Sequence, residues 1–243
     1  MMADPVLLYT NPMSRGQIAR WMLEEVGAPY EAVVLDYAGG MKTADYRAIN
    51  PMGKVPAIVH GGKVVTECAA ICAYLADAFP AAGLAPATDD RADYYRWLFF
   101  AAGPVEAAVT NKAMGFVLPE GRERSAGYGS LDDTLDTLET AVTGRTWICG
   151  GSFTAADVYV GAQIDWGLSF GTIPSRPAFE AYAATLRERE RMAVEQRRPG
   201  AARDDLDKAE AVHRGAFMRQ ALQRVLQGIV DRPPFGFGFN RRK

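Results

Sequence analysis

The most constraining feature of this chain is a proline set directly before a run of strand formers. Val55 and Pro56 lead into AIVH, residues 57–60. Proline has no N–H for a ladder, so sheets tolerate it only at edges, bulges and first positions. A strand entered through Val-Pro must therefore begin at that proline. A cis bond there would be a rare and deliberate feature. It would turn the Val55 main chain outward, so that its N–H and C=O could pair with an extended peptide as a short added strand. A plain loop proline at a strand start is the competing reading.

The flanking sequence fits a small mixed sheet. Val6, Leu7, Leu8 and Tyr9 begin a short strand, and residues 14–26 carry helical spacing through Ile18, Trp21, Met22 and Leu23. Gly27 follows, where a helix C-cap belongs. Residues 30–35 read as a second strand, making the opening a βαβ unit with parallel strands. Residues 43–49 suit a short helix. Gly61-Gly62 joins two strands, 57–60 and 63–66, as a hairpin. Residues 67–79 form an Ala-containing amphipathic helix stopped at Pro80, so the order is βαβ-α-ββα.

Residues 81–89 read as a linker, and strand signals cease after them. Helices are expected over 91–102, 130–142, 154–168 and 177–191. The fold class is thus α/β followed by all-α. The expected domains are 1–82 and 90–230, with a tail at 231–243. Within the second, Met218, Leu222, Leu226 and Ile229 keep helical spacing, and that helix is expected to pack over the cleft or a partner subunit.

Composition excludes several functions. Hydrophobic residues are 49% and charged residues 23%, which supports a packed core rather than disorder. A net charge of −2 gives no field to recruit nucleic acid or anionic membrane. The charge is uneven: residues 197–243 carry +6 and the rest −8. Three cysteines form no disulfide framework, which fits a reducing, cytoplasmic setting. The N-terminus lacks a signal-peptide pattern, and no apolar run reaches the ~18 residues of a membrane span. Two histidines leave little material for a metal site or a His-based triad, and none is expected. Cys68 and Cys72 are two ligands at most, better read as small buried residues.

Four segments carry the chemistry. The first is NPMGKVPAIV, residues 50–59, with Val55 and Pro56. In the second, TECAAI, Glu67 and Cys68 open a helix whose free N–H groups and dipole favour a carboxylate, while Glu67 suits an ammonium group. A favourable charge in a first turn is the alternative for Glu67. In the third, YTNPMSRGQIAR, Ser14 stands before the first helix, able to donate to a thiolate or merely to cap. In the fourth, Thr154 and Asp157 have capping-box spacing with Phe153 and Val158 at staple positions, a structural motif.

Together, over residues 5–195, these segments resemble the cytosolic glutathione transferase family. The resemblance implies a thioredoxin-like N-terminal domain, a helical C-terminal domain and a homodimer. It implies that the Val55–Pro56 bond is cis, with the Val55 main chain pairing to glutathione, the co-substrate. Glu67 and Cys68 then grip the γ-glutamyl end, and Lys42 and Lys54 the glycine end. Cys68 replaces the family's usual serine, which removes a hydroxyl contact but keeps the N–H. Ser14 matches the serine-type classes. Arg15 stands where cysteine-type bacterial enzymes carry their cysteine, which argues against a mixed-disulfide mechanism, and its guanidinium, turned inward, is a second candidate for activating the thiol by direct charge. Asn11 and Tyr9 are further candidates, with Tyr9 read as a strand residue facing the core.

The implied activity is activation of the glutathione thiol for attack on a small hydrophobic electrophile. Phe99, Phe100, Met114, Phe116 and Trp166 are candidates for its pocket between the domains. The alternatives are a non-catalytic binding or assembly module, and a glutathione-dependent reductase, dehalogenase or isomerase.

Overall fold

The computed structural model describes residues 5–195 of the 243; the amphipathic segment around Met218–Ile229 and the basic tail lie outside the described residues. The chain begins β1 (Val6–Thr10), α1 (Gly16–Val26), β2 (Tyr30–Val34), α2 (Ala44–Ile49), β3 (Ala57–His60), β4 (Lys63–Thr66) and α3 (Cys68–Ala78). The sheet order is β2-β1-β3-β4. β1 and β2 run parallel, Val6 opposite Tyr30, joined through α1 as a βαβ unit. β3 lies antiparallel to β1, and β4 closes the hairpin with His60 opposite Lys63. Gly61 and Gly62 have φ of 55° and 75°, the left-handed pair that a two-residue hairpin demands.

Alternation along β1 sends Val6, Leu8 and Thr10 inward against α1 and α3. Tyr9 points the other way. It is half-buried and packs on Tyr46 of α2, with centroids 5.4 Å apart, in a minor cluster with Met41 and Ala57 rather than in the main core. The start of α1 is pressed onto the end of β1. A Cβ at Gly16 would stand 1.9 Å from Thr10 Oγ1, so only glycine allows this approach.

From residue 92 onward the chain is helical: α4 (Ala92–Phe100), α5 (Glu106–Met114), α6 (Leu131–Val142), α7 (Ala155–Phe170) and α8 (Pro177–Glu195). The sequence pattern ended the first of these at Ala102 and left 106–114 unassigned. Instead a π-helical stretch, Ala101–Val105, carries the chain through Gly103-Pro104 into α5. Proline removes an N–H and crowds the carbonyl four residues back; a wider turn accommodates both.

α7 is the axis of the helical part, with residues 155–162 all buried. Its capping box is formed: the Thr154 N–H donates to Asp157 Oδ2 at 2.8 Å. One continuous buried set runs from Val6 and Leu8 through Ile71 and Leu75 to Leu138, Ile164 and Phe179. Polar links cross the same boundary. The Ala155 N–H donates to Leu84 C=O at 2.9 Å. Arg189 of α8 donates twice to Glu25 of α1, at 3.1 and 2.8 Å, and lies 3.8 Å from the Phe153 ring centroid.

Candidate active site

The loop before β3 is braced from α2. Lys54 C=O accepts the Tyr46 hydroxyl at 2.6 Å and Asn50 Nδ2 at 2.8 Å. Burial pushes the Tyr46 phenol up to about 12, so it stays a donor. Lys42 Nζ reaches Gly53 C=O at 2.7 Å and Met52 C=O at 3.2 Å, which leaves a third donor. Held this way, Val55 is half-buried, and its bond to Pro56 is cis. Among the described residues neither the N–H nor the C=O of Val55 takes a hydrogen bond. The side chains of Lys42 and Lys54 are exposed beside it.

Glu67, at the β4–α3 junction, has φ 64° and ψ 117°. Among the described residues no other non-glycine residue has positive φ. Such strain persists where the surroundings over-determine a functional conformation. The Glu67 carboxylate is exposed and ion-paired with none of the described residues. Cys68 is 8% exposed, and its thiol points to Arg15 C=O at 3.6 Å. It also approaches Cys72, whose own thiol is held well above the usual range by Cys68 and by burial.

At the head of α1 the three candidates take different parts. Asn11 is spent on the turn: its Nδ2 donates to Leu35 C=O at 2.7 Å and its Oδ1 accepts the Met13 N–H at 2.9 Å. The Ser14 hydroxyl donates to Asn11 C=O at 2.7 Å and accepts the Gly16 N–H at 2.9 Å. It is therefore a local cap whose proton must be redirected before it can serve a ligand. Arg15 is the N-cap residue of α1, and its guanidinium meets Glu106 of α5 at 2.5 Å.

The helical part faces this point with polar groups. The second oxygen of Glu106 accepts Gln163 Nε2 at 3.3 Å, and Gln163 also donates to the Tyr159 hydroxyl at 3.2 Å. The apolar candidates fall elsewhere. Phe99, Met114 and Phe116 are 65–73% exposed, while Phe100 and Trp166 pack against the core. Helical spacing gave no azimuth for α4 and α5 because the π-turn between them rotates one against the other. Sequence reasoning missed Tyr46, Asn50, Glu106 and Gln163. Asn50 alone carried a signal, as the first residue of NPMGKVP.

The β2-β1-β3-β4 sheet, joined to a helical unit, thus leaves the free main chain of Val55 beside the entry to β3. Residues 13–78 match the family described as Glutathione S-transferase, N-terminal domain. The chain is 31% identical over 173 residues to glutathione S-transferase GST-4.5 of Xanthomonas campestris pv. campestris, spanning 68% of this chain and 83% of that one. A sphingomonad glutathione S-transferase solved with glutathione superposes with a TM-score of 0.61 at 30% identity, covering 84% of this chain and 98% of the other. A glutathione transferase from Methylococcus capsulatus gives 0.61 at 26% identity over 85% and 99%. The chain belongs to the glutathione S-transferase family and is a transferase.

No helix among the described residues is long and apolar enough to cross a membrane. Among the same residues no group of three or more His, Cys, Asp or Glu side chains could hold a metal ion.

Proposed function

We propose that this transferase binds glutathione along the Val55 loop and activates its thiol for attack on a small hydrophobic electrophile. The observation that carries this reading is the pair of unused hydrogen-bonding groups on Val55, presented by a loop braced through Lys54, Gly53 and Met52. The glutathione cysteine pairs with Val55 as one residue of an added strand. The γ-glutamyl carboxylate takes the N–H groups at the head of α3, Cys68 among them, and its ammonium meets Glu67. Lys42 and Lys54 take the glycyl carboxylate. In this reading the domain expected over 1–82 holds the peptide and the one expected over 90–230 borders the electrophile. The working unit is a cytoplasmic homodimer.

The thiol then lies at the head of α1. A thiol of pKa about 8.5 is only a few per cent ionised at neutral pH. Lowering it by about two units takes roughly 2.7 kcal/mol of preference for the anion. A hydrogen bond to a charged group is worth about 1.5–3 kcal/mol, and a helix N-terminus adds about 0.3–1. The Ser14 hydroxyl can supply the first by exchanging its neutral bond to Asn11 C=O for a stronger, charge-assisted one. Asn11 keeps the turn in place. The thiolate attacks carbon, the carbon–sulfur bond forms, and the leaving group departs as an anion or the added carbon takes a proton.

Retention on immobilised glutathione, followed by conjugation of a chloronitrobenzene and reduction of a peroxide, tests this. Failure to bind glutathione would leave the fold as a scaffold for assembly. Binding with peroxide turnover alone would point to a reductase.

A further inference from the structure

We infer that Glu106, contributed by the helical part, is a positioning residue that cancels the charge of Arg15 and so sets the acidity of the bound thiol. The inference rests on the glutathione reading above. Arg15 is the residue after Ser14, and its carbonyl receives the Cys68 thiol, so its main chain lies between the heads of α1 and α3 where the ligand is proposed. A free guanidinium there would favour a thiolate strongly. It is not free. Glu106 holds it at 2.5 Å with one oxygen and is itself fixed by Gln163 through the other. At the thiol such a pair acts as a dipole rather than as a unit positive charge.

The other titratable groups facing this pair are few. Tyr159 of α7 is held up by burial first, with Cys68 and Glu106 adding to the effect, and stays neutral. Tyr37, in the loop after β2, is raised by burial, against which Arg15 acts. Cys68 of α3 donates to the Arg15 carbonyl. Among these groups Arg15 and Glu106 form the ion pair, and the Glu67 carboxylate stands one residue before Cys68 at the head of α3.

The test is the pKa of bound glutathione, read from thiolate absorbance near the far-ultraviolet edge across pH, in wild type, Glu106→Gln, Arg15→Gln and the double variant. Glu106→Gln should lower the thiol pKa by about one unit, Arg15→Gln should raise it by a similar amount, and the double variant should return close to wild type. The pH profile of kcat/KM should move with each. An unchanged or raised pKa in Glu106→Gln, with glutathione still bound, overturns the inference and leaves the glutathione reading intact. A wild-type protein that binds no glutathione overturns that reading and the inference with it. A merely structural Glu106 would change both single variants in the same direction and would not be rescued in the double.

Discussion

Asp157 Oδ1 accepts the hydroxyl of Tyr182 at 2.7 Å, tying α7 to α8 through a carboxylate with no exposed surface. The same carboxylate takes the N–H of Ile148 and both the N–H and the hydroxyl of Thr154. Burial raises its pKa, and these donors act against the rise. Asp157→Ala strands all four donors in the core and should lower stability by about 3–5 kcal/mol. Thr154→Ala, which loses one cap, should cost about 1 kcal/mol. Urea midpoints of the two variants check the difference, and an equal loss would mean that the cap alone matters.

Ser14→Ala removes the hydroxyl that directly precedes α1. Losing a charge-assisted bond of about 1.5–3 kcal/mol should cut turnover at neutral pH roughly 10- to 100-fold. Glutathione affinity should stay near normal, because the peptide is held elsewhere. Steady-state kinetics beside calorimetric titration separates the two. Unchanged turnover would remove Ser14 from the chemistry.

Glu67→Gln should raise the KM for glutathione about tenfold with little change in kcat, through loss of the ammonium contact. With a glutathione analogue lacking the amino group, wild type and variant should perform alike. A variant equally impaired with both ligands would mean that Glu67 serves only the bend at φ 64°.

Cys149 is half-buried beside Thr154, and burial pushes its thiol from 9.0 up to about 11. The folded chain therefore keeps this proton after the unfolded chain has lost it. The contribution is fully present below about pH 9 and drains away as pH rises toward 11. Wild type should lose stability from pH 8 to 10 more steeply than Cys149→Ala. Parallel slopes in chemical denaturation would contradict the assignment.

Sequence revealed much of the sheet because strands and hairpin carry local signals. Val55-Pro56 and Gly61-Gly62 each dictate backbone within a few residues. The capping box at Thr154 and Asp157 was legible for the same reason, since its partners sit three positions apart. The electrophile side was not legible. Arg15 and Glu106 are 91 residues apart, and their meeting depends on how α5 is rotated by the π-turn at Pro104. Phe99 and Phe116 are exposed, which helical spacing alone does not reveal. Ser14 fell between: its place before α1 was readable, but the carbonyl that takes its proton was not.

Arg189 lies over Phe153 and clasps Glu25, and Trp21 faces Phe153 with ring centroids 6.3 Å apart. The outer face of the first helix is thus completed by the last one described. During synthesis on a ribosome, the sheet can assemble long before that cover exists. Until roughly 190 residues have emerged, the nascent chain carries Glu25 without its Arg189 partner, held only through Trp21 of its own helix.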